Sequence, residues 1–359
     1  MTRPKLEVNQ RASEEKPFNA RLEARAIPML PVAPRVKGSA ARGRRWGVVL
    51  AGGDGVRLRP LTKLICGDER PKQFCPLFDG RTLLAQTLWR AELAVPREQL
   101  MVSLTSDHFE WYSREAGVLP SHRVVQPANR GTAPAILHSL LSLVRLDANA
   151  LVAILPSDHH YSNEQSFASA LECAFETAAK RSDCVVLLGA QPDYPEVEYG
   201  WIELGEPLGH EGSQLFRVRE FREKPVIDVA RRLFEQGSVW NTFVMVGHVR
   251  AFLQMVEATV PDLLRMLGSA RMWAGQETNI QKSLYRRVPS ISFSHRVLSA
   301  EPSELAVLRL SNAGWSDLGD PGRAVMAVRE SGCEPAWIRE WKLTKGVAAA
   351  ASKATAAVA

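Results

Sequence analysis

Short apolar runs alternate with stretches of helical period through the middle of the chain. WGVVLAGG (46–53) reads as a buried strand ending in glycines. TLLAQTLWRAELA (82–94) repeats its apolar residues at helical spacing, with Thr82 placed as an N-cap. QLMVSLT (99–105) is a second strand, and TAPAILHSLLSLVRL (132–146) a helix with Pro134 in its first turn. ALVAILPSDH (150–159) is a third strand, apolar on both faces as far as Pro156. FASALECAFETAAKR (167–181) is a helix and CVVLLGA (184–190) a fourth strand. Strands without polar alternation, separated by helices, predict a parallel sheet covered on both faces. Beyond about residue 195 the segments EYGWIELG, LFRVREFREKP and VWNTFVMVG read as β structure. Helices return at 249–267 and 279–287.

Both ends lack such a pattern. Residues 1–45 are rich in Arg, Ala, Pro and Glu, and the Ala-rich stretch 341–359 has no apolar face to bury. The expected organisation is a disordered basic leader (1–45), a folded body (46–340) and a disordered tail (341–359).

Charge supports that division. The 359 residues hold 45 Lys and Arg against 39 Asp and Glu, a net +6, and the isoelectric point is near 9.2. Residues 1–45 carry 11 basic and four acidic side chains, which leaves 34 basic against 35 acidic in the rest. The basicity therefore belongs to the leader, and it gives no reason to expect a nucleic-acid partner. The leader has no continuous apolar run of the secretory kind, and no stretch is long and apolar enough to span a bilayer, so no membrane association is expected. Five cysteines, odd in number and without a CxxC pair, point to a reducing, cytoplasmic setting rather than a disulfide framework.

The candidate chemistry begins at LAGGDGVRLRPLT (50–62). Gly52, Gly53 and Gly55 follow the first strand directly, and Arg57 and Arg59 add positive charge. Neither the Walker nor the dinucleotide fingerprint is met. Alone, the segment is either a tight turn or a cradle in which backbone N–H groups surround an anion. RPKQFCPL (70–77) follows, with Lys72 between two prolines as a point charge.

Together, GGxGxRLxPLT and PKQF resemble the sugar-1-phosphate nucleotidyltransferases, and within them the mannose-1-phosphate guanylyltransferase branch. QPANRGTAPAI (126–136), ILPSDHHY (154–161), YGWIELG (199–205), FREKP (221–225), WNTFVMVG (240–247) and GWSDLGD (314–320) are similar to further motifs of that family and follow in its order. The resemblance implies an α/β fold, a Rossmann-like nucleotidyltransferase domain with a mostly parallel mixed sheet and helices on both faces. It implies joining of a sugar 1-phosphate, mannose 1-phosphate first, to GTP, giving GDP-mannose and pyrophosphate with Mg²⁺ as cofactor. Arg57, Lys72 and Asp158 would be catalytic, and Asp158 and Asp317 would hold the metal. Gly52, Gly53, Gly55, Gln126, Thr132 and Pro134 would bind the nucleotide. Gly200, Glu203, Glu223, Lys224 and Asn241 would bind the sugar phosphate. Self-association into a homo-oligomer is compatible with this reading. The alternatives are the same chemistry on another hexose 1-phosphate or nucleotide, and a catalytically silent relative that senses sugar nucleotides.

Three positions depart from the family pattern. Gly131 stands where the family commonly has Asn, Phe243 where it has Gly, and Ser292 where it has an acidic residue.

Overall fold

The chain divides into two units, Met1–Lys37 and Gly38–Ala359. The computed structural model describes residues 42–341 apart from 79, 116, 118, 210–211 and 270–278, all in the second unit. The expected leader and tail lie outside the described residues except at their inner edges. One edge shifts: Arg45, counted with the leader, opens the first strand, is buried, and pairs with Glu172 at 2.7 Å.

In chain order the elements are β1 (Arg45–Leu50), α1 (Arg59–Cys66), α2 (Leu83–Ala91), β2 (Leu100–Thr105), α3 (Phe109–Tyr112), β3 (His122–Gln126) and α4 (Thr132–Leu146). Then come β4 (Leu151–Pro156), β5 (His160–Tyr161), α5 (Glu164–Lys180), β6 (Val185–Ala190), β7 (Gly200–Pro207), β8 (Leu215–Glu223), α6 (Ile227–Glu235) and β9 (Val239–His248). α7 (Val249–Thr259), α8 (Pro261–Gly268), α9 (Asn279–Arg286), β10 (Leu305–Leu310), β11 (Trp315–Ser316) and α10 (Pro321–Glu330) complete the order.

Nine strands form one sheet in the order β3-β2-β1-β4-β9-β6-β10-β8-β7. Seven run in one direction, while β8 and β9 run in the other. The mixed, mostly parallel sheet expected from the resemblance is therefore present. Successive side chains of a strand point to opposite faces. Val48, Val152 and Ile154 face one core with Ile136, Leu140 and Phe252 of α4 and α7. Val49, Ala153 and Leu155 face the other with Leu88 of α2 and Phe175 of α5. Burial on both faces is the reason these strands read as unbroken apolar runs.

Several local signals act as expected. Thr82 caps α2 by accepting a hydrogen bond from the Ala85 amide at 3.1 Å. α4 spans the residues that its period predicts. The helix expected over 249–267 is instead two. Pro261 starts α8, and the residue before it, Val260, leaves helical geometry at φ −140°, as steric clash with a following proline requires. The cysteines are all free thiols, and Cys66 and Cys75 lie 3.5 Å apart, Sγ to Sγ. Among the described residues no helix is long and apolar enough to cross a membrane.

Candidate functional site

A cleft of about 460 Å³ opens beyond the carboxyl ends of β1, β3 and β4, where an open α/β sheet places its ligands. The glycine turn forms one wall. A Cβ on Gly52 would lie 2.7 Å from Thr105 Oγ1, and one on Gly55, at φ +56°, would lie 2.9 Å from the Lys72 amide nitrogen. Gly53 has open space beside it and lines the cleft. The PKQF segment holds this turn from below, since Gln73 Nε2 donates to the carbonyls of Ala51 (3.0 Å) and Gly53 (2.8 Å). Asp54 secures the tip, accepting from Asn129 Nδ2 at 2.9 Å and lying 3.2 Å from His108 Nε2. The glycine turn and the PKQF loop, about 20 residues apart in sequence, thus form a single wall.

Gln126 ends β3 on the cleft floor and is almost wholly buried. Its Nε2 donates to Ser103 Oγ at 3.1 Å, and its Oε1 accepts from the Tyr285 hydroxyl at 2.6 Å. Ser103 lines the cleft beside it. The next segment is zipped to residues 291–293. Ile291 N donates to Arg130 O at 3.0 Å, Ala133 N to Ile291 O at 3.0 Å, and Phe293 N to Thr132 Oγ1 at 2.8 Å. Gly131 lies inside this zipper at φ +82° and ψ −179°, a conformation essentially restricted to glycine. A Cβ there would meet Ile291 O at 2.6 Å. The asparagine of the family pattern does not fit here.

The two aspartates come together across Lys72. Its Nζ is 3.2 Å from Asp158 Oδ2 and donates to the carbonyls of Asp317 (2.6 Å) and Leu318 (3.1 Å). Burial pushes the Asp158 carboxyl up, but the Lys72 charge and hydrogen bonds outweigh it, so the group lies below the ordinary carboxylate range. Asp317 Oδ1 accepts from the Tyr199 hydroxyl at 2.9 Å and the Gly319 amide at 2.9 Å, and Arg323 Nε lies 3.4 Å away. Arg323 also pairs with Glu196 at 3.1 Å and stacks over the Tyr199 ring. Burial lowers the His159 pKa, and its Nδ1 accepts from Trp315 Nε1 at 3.2 Å, so this cleft-lining imidazole is a neutral group. Two carboxylates on one cleft, one held well into its charged form, fit Mg²⁺, which takes oxygen ligands from one or two carboxylates and completes its shell with phosphates and water. Among the described residues no group of three His, Cys, Asp or Glu side chains is assembled for a metal, so the remaining ligands would be the substrate's.

At the other end, Gly200, Glu223, Lys224, Asn241 and Phe243 line the cleft with Ser294. Burial raises the Glu223 carboxyl despite the Lys224 charge nearby. A Cβ on Gly200 would lie 2.9 Å from Glu223 Oε2 and 3.4 Å from Asn241 Cβ, so glycine is what lets these two side chains approach. Arg57 lies at the mouth, where its guanidinium donates to Glu198 Oε2 at 3.2 Å.

Three expected site residues are not on the cleft wall. Glu203 is three positions beyond Gly200 on β7, so the strand's alternation turns it to the opposite face, where it accepts from Arg222 Nε at 2.9 Å. Pro134 is buried in the first turn of α4 and is not among the residues that line the cleft. Gly55 supports the Lys72 backbone from behind. Conversely, Ser103 and Ser294 line the cleft from outside every quoted motif, and Ser157 and Tyr199 line it from within ILPSDHHY and YGWIELG, where neither was singled out. Phe243, which departs from the family pattern in WNTF, lines it as well. Arg323, which steadies Asp317, carried no sequence signal, because a single arginine in a helix reads as surface.

A sequence model of the nucleotidyl transferase family matches residues 46–329. The mannose-1-phosphate guanylyltransferase ManC of Salmonella typhimurium is 30% identical over 284 residues, covering 76% of this chain and 57% of that protein. The xanthan biosynthesis protein XanB of Xanthomonas campestris pv. campestris is 29% identical over 280 residues, with the same shares. The chain thus spans little more than half the length of the curated relatives it matches. A solved structure described as a mannose-1-phosphate geranyltransferase from Thermus thermophilus superposes with a TM-score of 0.66 at 30% identity, over 77% of this chain and 76% of that one.

Proposed function

The chain belongs to the nucleotidyl transferase family, and from that premise we propose that it joins a sugar 1-phosphate to a nucleoside triphosphate, mannose 1-phosphate and GTP before other pairs. The observation that carries the reading is the convergence of Asp158, Lys72 and the Asp317 segment on one cleft beside a glycine turn. A phosphate oxygen of the sugar phosphate attacks the α-phosphorus, the bond to the β-phosphate oxygen breaks, and pyrophosphate leaves. Both reactants are anions, so the protein's work is to neutralise charge and hold the groups in line.

The glycine turn and Arg57 receive the triphosphate. Gln126 and Ser103 present hydrogen-bonding groups to the base from the floor. Lys224 receives the sugar phosphate, and Glu223 and Asn241 receive sugar hydroxyls. Lys72 spans the aspartates where charge builds during transfer. Asp158 and Asp317 would hold Mg²⁺, which when bound neutralises phosphate charge and polarises the reacting phosphoryl group. The cytoplasm, which supplies both substrates, is the setting this reaction calls for.

The test is a pyrophosphate-release assay crossing mannose, glucose and galactose 1-phosphates with the four nucleoside triphosphates plus Mg²⁺. The expected result is fastest turnover with mannose 1-phosphate and GTP. Turnover with another pair alone would move the substrate assignment. Absence of turnover in every pair would overturn the enzymatic reading in favour of a sensor.

A further inference from the structure

β9 is bulged where it borders the cleft. Leu187 pairs with Met245 and Gly189 with Asn241, so Thr242, Phe243 and Val244 all stand opposite Leu188. The bulge is built rather than accidental, because side chains satisfy its backbone. Asn241 Oδ1 accepts from the Phe243 amide at 3.0 Å. Thr242 Oγ1 donates to Leu188 O at 2.7 Å and accepts from the Val244 amide at 3.3 Å. Gly189 clears the partner strand, since a Cβ there would meet Val239 Cγ2 at 2.4 Å. Bulges beside active sites re-aim a side chain. Here Thr242 and Val244 stay buried while Phe243, at the tip, reaches the cleft.

Phe243 has φ +60°, a left-handed backbone that a bulky residue adopts only under strain. Glycine or asparagine would hold the same turn with less. What the strained residue adds is an apolar ring in an otherwise polar corner formed by Gly200, Glu223, Lys224, Asn241 and Ser294. Strain of this kind collects at ligand clamps. A pyranose phosphate matches the corner, with an anionic group, polar hydroxyl edges and an apolar C–H face.

We propose that Phe243 is the specificity-determining residue of the sugar end. Its ring covers one C–H face of the bound hexose and excludes epimers that project a hydroxyl from that face. The bulge of β9 is the device that aims it. This inference rests on the nucleotidyl-transfer reading of the cleft.

The test compares wild type with Phe243→Gly, Phe243→Asn and Phe243→Tyr. Pyrophosphate release is measured with each of three hexose 1-phosphates at fixed GTP, and the KM for GTP separately. Loss of the ring in the Gly and Asn variants is expected to raise KM for the preferred sugar phosphate about tenfold and to cut the preference between epimers by about tenfold or more. KM for GTP should stay within about twofold, and Tyr should retain wild-type preference. Asn tolerates the left-handed turn, so it serves as the readout should the Gly variant fold poorly. Wild-type sugar preference and sugar KM in both ring-less variants would overturn the inference while leaving the functional reading intact. A wild-type protein that turns over no sugar 1-phosphate would overturn both.

Discussion

The ammonium of Lys72 lies 3.2 Å from a carboxylate oxygen of Asp158, and this pair joins the loop beneath the glycine turn to the end of the central strand β4. Lys72 is only 8% exposed, and the same nitrogen donates to two carbonyls of the segment that carries Asp317. One charge thus ties the Asp158 carboxylate to the backbone of a segment remote in sequence, the one that carries Asp317. Lys72→Met should lower kcat/KM by about 10²–10³, the usual cost of removing a preorganised charge from a transition state. It should also lower the thermal unfolding midpoint, because Asp158 would lose its partner. Pyrophosphate release together with thermal denaturation checks both; near-wild-type turnover would show that Lys72 is only a strut.

Asp158→Asn and Asp317→Asn should each abolish turnover, by at least about 10³-fold, for loss of a metal ligand. The two should differ in stability. Asp158 is the ion-pair partner of nearly buried Lys72, so its neutralisation leaves that cation with carbonyl partners in place of a carboxylate. Arg323, beside Asp317, keeps Glu196 and Asp320, so substitution of Asp317 should cost less. Chelation of divalent ions should silence the wild type, and Mg²⁺ should restore it. Turnover that survives both chelation and either substitution would show the ligands to be misassigned.

Gly131→Ala places a Cβ 2.6 Å from Ile291 O at a backbone angle of φ +82°. The left-handed penalty alone is about 1–2 kcal/mol, and the clash adds to it. The zipper between 130–133 and 291–293 should open, raising KM for the nucleotide about tenfold with a smaller change in kcat. Steady-state kinetics on GTP and a melting curve decide this; an unchanged KM for GTP would detach the zipper from nucleotide binding.

The fold is legible in the sequence where burial is two-sided. β1, β2, β4 and β6 lie between helices on both faces, so their apolar runs leave no ambiguity with amphipathic surface. β3 escapes such a reading because it is an edge strand with polar His122 and Arg123 in its five residues. α10 escapes it because its packing partner is a small separate cluster, Leu58, Leu77 and Trp337, that no local period announces. The site is legible where backbone conformation constrains sequence, as at Gly52 and Lys72. It is not legible where only the third dimension assigns a face. Glu203 reads as part of the YGWIE motif, yet one step of strand alternation carries it to Arg222 and away from the cleft. Arg323 lies outside every cleft motif but one turn of α10 from the GWSD loop.

His138 supplies a prediction independent of the cleft chemistry. It lies on α4 with its ring 6.0 Å from that of Tyr285, and burial holds its imidazole down to about 4. In the unfolded chain it would titrate near the ordinary value of about 6.5. The depressed folded value means that the unfolded state takes up the proton first as pH falls. Stability is therefore full above about pH 6.5 and is lost progressively toward about pH 4, by up to about 3 kcal/mol for this group alone. His160 has the same direction and cause, with burial again pushing it down to about 4. Thermal unfolding at about pH 7.5 and about pH 5 should show a clear fall in midpoint for wild type. His138→Gln should lower the midpoint at the higher pH for loss of packing but shrink the difference between the two. The same pH difference in variant and wild type would mean that His138 is already charged in the folded protein, and that the packing of α4 against α9 accommodates the proton.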